Sequence, residues 1–97
     1  MIKTLEEQAK EIKSLIDYKE FYEQFDLPNK SVTSNGDIWC LCVMPNHTED
    51  TRPSFRIDMK TGCFKCWGCK EYGDVFDFWQ KYYGVSFFTA ILQITIS

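Results

Sequence analysis

The sequence predicts a small α+β domain in which antiparallel hairpins lie between N-terminal helices and a C-terminal aromatic helix. Three observations predict it. Apolar residues recur at spacings of three and four up to Pro28, alternate strictly in "SFRIDM", and return to helical spacing after Asp74. The expected organisation is a single domain over 1–97, with a helical segment 1–28, a hairpin segment 29–72 and helices over 73–97.

Taken in order, Ile2, Leu5, Ala9, Ile12 and Ile16 form one stripe, and Thr4 with Glu7 forms a capping-box pattern, which predicts an amphipathic helix over 4–16. Tyr18, Phe21, Tyr22 and Phe25 continue the spacing to Pro28, whose ring discourages further helix. Both stripes read as core packing. "SVTSNGDIWCLC" then sets Asn35-Gly36, a hairpin signal, between two short strand-favouring runs. In "SFRIDM", Phe55, Ile57 and Met59 share one face and Ser54, Arg56 and Asp58 the other, as in a half-buried strand. Lys60-Thr61-Gly62 turns the chain into "CFKC", and the polar "KEYGD" reads as a linker. Asp74 is the expected N-cap and Gly84 the C-cap of a helix filled by Val75, Phe76, Phe78, Trp79, Tyr82 and Tyr83. Ser86 is placed to cap one more short helix.

A chain of 97 residues buries a modest fraction of its surface and often leans on a staple such as a metal. Its hydrophobic content is ordinary at 44%, and its aromatic content is high at 16%. The formal net charge of −3 argues against a strongly basic nucleic-acid or membrane surface, yet the charge is segregated. Residues 1–29 sum to −3, 30–70 to +2 and 71–97 to −2. The cysteine-bearing middle is the basic part. The charged start "MIKTLEEQAK" is no signal peptide and no apolar run reaches membrane-spanning length, so a cytoplasmic protein with no membrane partner is expected. Thiols stay reduced there, and five cysteines, an odd number, suit a disulfide framework poorly.

A structural zinc takes four Cys or His donors, usually as two close pairs held in tight turns. Cys66-Trp67-Gly68-Cys69 supplies one pair, with Gly68 free to take the positive φ such a turn can require. The second pair comes from "CLCVMPNH". His47 follows Cys42 after four residues and Cys40 after six, and the shorter loop closes more readily. The expected site is therefore Cys42, His47, Cys66 and Cys69 around one structural Zn2+. Cys40 and Cys63 read as small buried hydrophobes, although both stay open as ligands, Cys63-Phe64-Lys65-Cys66 having the same spacing as the Cys66–Cys69 pair. "CWGC" also fits thiol exchange, but that chemistry wants an exposed thiol at a helix N-terminus, and here the linker delays the helix.

These residues together carry a family resemblance. Cys42 and His47, Pro53-Ser54-Phe55, Cys66-Trp67-Gly68-Cys69 and Gly73-Asp74 occur in the order found in the Cys-His-Cys-Cys zinc-binding domain of bacterial and phage DNA primases, a zinc ribbon. The chain resembles that family over roughly 12–92. It departs from it in placing four residues, not two, between the first cysteine and the histidine, which keeps Cys40 open as an alternative to Cys42. The chain ends at "ILQITIS", without the Toprim-type polymerase domain that follows in full primases, so a binding domain rather than an enzyme is expected.

The resemblance implies single-stranded DNA as ligand, a role in template recognition during primer synthesis, and a primase polymerase domain or replicative helicase as partner. Arg52, Arg56, Lys65 and Trp67 are the candidate DNA contacts, within a basic stretch that also holds Lys60, Lys70 and nearby Trp39. Arg56, opposite the buried face of its strand, is expected to reach DNA freely. The alternative is a zinc-stabilised protein-interaction module that docks a helicase or polymerase subunit through the aromatics from Trp79 to Phe88.

Overall fold

The computed structural model describes residues 3–45 and 53–96. The order is α1 (Leu5–Leu15), α2 (Tyr18–Glu23), β1 (Ser31–Val32), β2 (Ile38–Cys40), β3 (Phe55–Ile57), β4 (Phe64–Cys66), β5 (Tyr72–Gly73), α3 (Val75–Tyr83) and α4 (Phe87–Ile96). The five strands form one antiparallel meander in sequence order. This is the α+β architecture that the change of apolar period predicts. Among the described residues no helix is long and apolar enough to cross a membrane.

The first helix starts where expected, with the Thr4 hydroxyl accepting from the Glu7 N–H. The two aromatic and aliphatic stripes belong to separate helices. Ile16 is extended, and the Asp17 carboxylate accepts from the N–H groups of Lys19 and Glu20 to start α2 afresh. Between β1 and β2 the N–H of Gly36 closes a turn on the Thr33 carbonyl. Only Gly36 there takes a left-handed φ, 89°, so the connection is the longer hairpin type in which a turn is followed by a glycine.

Alternation along the strands decides what the sheet buries. Ile38, Cys40, Phe55, Ile57, Phe64 and Cys66 all face the helices and are buried. The "SFRIDM" strand is shorter than its pattern, because Asp58 to Thr61 already turn, and Met59 packs against the core only in part. Cys40 lies in the core as expected, whereas Cys63 is exposed. It precedes Phe64, whose ring takes the inward position, and strand alternation leaves Cys63 outside.

Over this face sits an aromatic cluster. Phe78 contacts the rings of Tyr22, Phe25, Phe55, Phe64 and Tyr82 at centroid distances of 4.8–6.1 Å. A ring buried on this many sides is worth about 3–5 kcal/mol over an alanine. The Tyr22 hydroxyl donates to the Gly62 carbonyl at 2.6 Å, fastening α2 to the β3–β4 turn, and burial pushes its ionisation well above the ordinary tyrosine value. Lys13 of α1 donates to Asp74 at 3.1 Å, and the Trp79 indole donates to Gln93 of α4 at 2.8 Å.

The stretch expected as a linker contains β5. Asp74 and Asp77 form a full capping box at the start of α3, which presses the helix against the strand. A Cβ built on Gly73 would lie 2.4 Å from the Asp77 Cβ, so only glycine fits there. Gly73→Ala is therefore expected to cost about 1–3 kcal/mol, by splaying α3 from β5. Gly36→Ala meets no atom within 4 Å and should lose only about 1–2 kcal/mol for its left-handed backbone. Urea melts check the stabilities, and amide exchange in β5 separates the two: faster exchange there is expected for Gly73→Ala alone.

Candidate metal centre and outer sheet face

Three thiols that are far apart in sequence meet at one end of the sheet. The chain leaves β2 at Cys40, and two residues later Cys42 points at the turn after β4. That turn is held by the Cys66 N–H donating to the Glu71 carbonyl, and by the Lys70 N–H donating to the Cys66 carbonyl. Its left-handed residue is Lys70, φ 66°, while Gly68, expected in that role, is not left-handed. The sulfurs of Cys42, Cys66 and Cys69 all lie within 4.8 Å of one another, and those of Cys42 and Cys69 are 3.8 Å apart.

This spacing fits a metal. Zinc–sulfur bonds of about 2.3 Å in a tetrahedron set the sulfurs about 3.8 Å apart. The electrostatics suit it as well. Burial pushes the Cys42 thiol well above the ordinary range. At Cys66 burial acts in the same direction but is outweighed: the backbone N–H of Cys69, the Ser54 hydroxyl and the backbone N–H of Gly68 pull it down to about 6. Cys42 in turn accepts from the Met44 N–H at 3.4 Å. A buried Cys66 drawn toward its thiolate, beside the half-buried thiols of Cys42 and Cys69, gives a soft donor set that would suit a divalent cation. Cys40 points into the core on β2 and Cys63 lies outside, so neither joins this group. His47 and Arg52 lie outside the described residues.

The face of the sheet turned away from the helices carries the other candidates. Strand register sets Trp39, Arg56, Lys65 and Tyr72 side by side across β2, β3, β4 and β5. Trp67, just past β4, is 44% exposed and stacks on Trp39 with centroids 5.6 Å apart and planes 28° off parallel. The Lys65 ammonium sits 5.0 Å from the Trp67 ring centre. Sequence reasoning placed Arg56, Lys65 and Trp67 here. It missed the row itself, because register with β5 cannot be read from one strand's pattern.

Arg56 is outward but not free. Its guanidinium donates to Asp37 at 2.5 Å, and that carboxylate, itself buried, also accepts from the Met59 N–H at 3.1 Å. The Arg56 hydrogen bond, then the Met59 N–H, hold the Asp37 carboxyl below the usual carboxylate range. A depressed folded value stabilises above the unfolded value, near pH ~4, and is lost as pH falls through the folded one. The stability gap between the natural chain and Asp37→Asn should thus shrink below about pH 4. Urea melts across that range check it, since the thiols titrate alike in both proteins. A gap unchanged from neutral to acid pH would show the ion pair to be energetically idle.

Comparison with known proteins places these features in a family. The model of the CHC2 zinc finger matches residues 4–96. The DNA primase of Deinococcus radiodurans is 44% identical over 59 residues, 61% of this chain and 10% of that primase. The DNA primase of Mycolicibacterium smegmatis is 49% identical over 49 residues, 50% of this chain and 8% of its own length. The chain thus spans about a tenth of the length of the curated primases it matches. The crystal structure of the Aquifex aeolicus primase, zinc-binding and RNA polymerase domains, superposes with a TM-score of 0.76 at 28% identity, covering 92% of this chain and 21% of that one. A thiol trio at zinc spacing, on a five-stranded meander backed by helices, agrees with a match that runs almost end to end: the chain belongs to the CHC2 zinc finger family.

Proposed function

We propose that this chain is the zinc-binding module of a DNA primase, with one structural Zn2+ on Cys42, His47, Cys66 and Cys69 and single-stranded DNA on the outer sheet face. The observation that carries the reading is the row of Trp39, Arg56 and Lys65 in direct register, with Trp67 stacked at its end. Flat rings beside cations suit a strand whose bases are open to stacking and whose phosphates need neutralising. Four protein donors leave a zinc no open position, so the metal would shape the surface and not react. Thiol exchange is disfavoured by the position of the cysteines: β5 separates Cys69 from the start of α3, so no helix N-terminus activates it.

In this reading the module selects and presents template to a polymerase domain, and catalysis belongs to that domain. Arg56 contributes through the guanidinium N–H groups that Asp37 does not use, held in place by the one it does. A protein-docking role would instead draw on Tyr83, Phe88 and Leu92, each half or more exposed on the helical side.

Native mass spectrometry is expected to find one zinc per chain. Chelation should abolish cooperative melting, since metal binding and folding are one equilibrium in such sites. In titrations with labelled oligonucleotides, Trp67→Ala should weaken binding by about 1–3 kcal/mol. Lys65→Ala should lower the slope of log K against log salt by about 0.7. Oligonucleotide binding that is absent, or indifferent to both changes, would defeat the DNA reading and favour docking through the helices.

A further inference from the structure

Tyr72 stands at the other end of the outer row from the tryptophans. It pairs directly with Lys65, which pairs with Arg56, which pairs with Trp39. Three strand spacings of about 4.8 Å put the tyrosine about 14 Å from Trp39. Its side of the sheet is also the less occupied. One face of Trp67 is already stacked on Trp39, whereas Tyr72 is 73% exposed and, among the described residues, no ring packs on it.

The backbone beneath Tyr72 is fixed on both sides. The Glu71 carbonyl accepts from the Cys66 N–H at 2.8 Å, and the Glu71 carboxylate holds Lys81 of α3 at 2.6 Å. On the other side Gly73 is jammed against Asp77. A large ring held out to solvent on an anchored two-residue strand, beside the Lys65 cation, loses little freedom when something flat lies on it.

We propose that Tyr72 is a base-stacking position, so that single-stranded nucleic acid crosses the sheet at right angles to the strands. The path runs from the Trp39–Trp67 pair, over Arg56 and Lys65, to Tyr72. The inference rests on the reading of the outer face as a single-strand site, and adds to it a residue and a direction.

The test is a fluorescence anisotropy titration of the zinc-loaded chain with labelled oligothymidylate, intact or carrying one abasic position moved along its length. Tyr72→Ala should weaken binding about 5- to 150-fold with the salt slope unchanged, and Tyr72→Phe should stay within about twofold. One abasic position should cost the natural chain a similar factor and Tyr72→Ala nothing, which only a ring touching that base produces. If Tyr72→Ala proves poorly folded by melting or zinc content, Tyr72→Leu replaces it, keeping apolar bulk without a π-face. Binding by the alanine or leucine variant within twofold of the natural chain would overturn the inference, as would abasic penalties that are the same in variant and natural protein. In either case a loss on Lys65→Ala would leave the outer-face reading standing. A natural chain that binds no oligonucleotide removes both.

Discussion

The approach of Cys42 to Cys69, 3.8 Å between sulfurs, ties the chain after β2 to the turn after β4, two segments that no strand ladder joins directly. The sheet is covered by helices on a single face, and at the end where β2 runs out and β4 turns the strands meet through the Trp39–Trp67 stack on the outer face and through this trio of thiols. Three thiols do not attract one another strongly, and as thiolates they repel. Their convergence is stable when a cation sits between them, so that the Coulombic cost of gathering sulfurs becomes the affinity of the site. The hydrogen bonds that draw Cys66 down to about 6 favour its thiolate, while burial favours the protonated form of Cys42, whose proton a bound cation would have to displace.

The same alternation that buries one face of the sheet composes the other. Each strand offers one outward residue at the crossing row, and the meander places those residues shoulder to shoulder with no loop between them. Asp37 gives this row its rigidity. A buried carboxylate held by a backbone N–H and by Arg56 costs the arginine part of its hydrogen-bonding capacity, yet fixes the guanidinium in place and removes rotamer entropy that a ligand would otherwise have to overcome. Preorganisation is bought with availability.

What was legible in the sequence follows from how local each signal is. The alternation of Phe55, Arg56 and Ile57, the Asp74 cap and the Gly84 stop are decided within a few residues, and each stands where expected. The Cys66–Cys69 knuckle is equally local, and Cys42 was chosen over Cys40 by loop length alone. Non-local outcomes were harder. β5 exists only because β4 and α3 trap Tyr72 and Gly73 between them, and two residues carry no period. Cys63 reads as a buried thiol until Phe64 is seen to claim the inward position. Asp37 carries no local signal of its role, because its partners Arg56 and Met59 are supplied by the next hairpin. The break at Ile16 was masked by stripes that keep helical spacing on both sides of it.

A net charge of −3 seems at odds with a surface for phosphates, and the layering removes the conflict. Glu6, Glu7 and Glu11 lie on α1, and Glu20 and Glu23 on α2, on the side of the sheet opposite Arg56 and Lys65. The acidic helices lie behind the sheet, and beyond a Debye length of about 10 Å at 0.1 M salt their charges act on a strand at the outer face only weakly through solvent. Lowering the salt lengthens their reach, and repulsion from the helical layer then works against attraction by the sheet. Binding at this face would accordingly depend on salt less steeply than its count of cations suggests, with the stacked rings supplying the part of the affinity that salt does not touch.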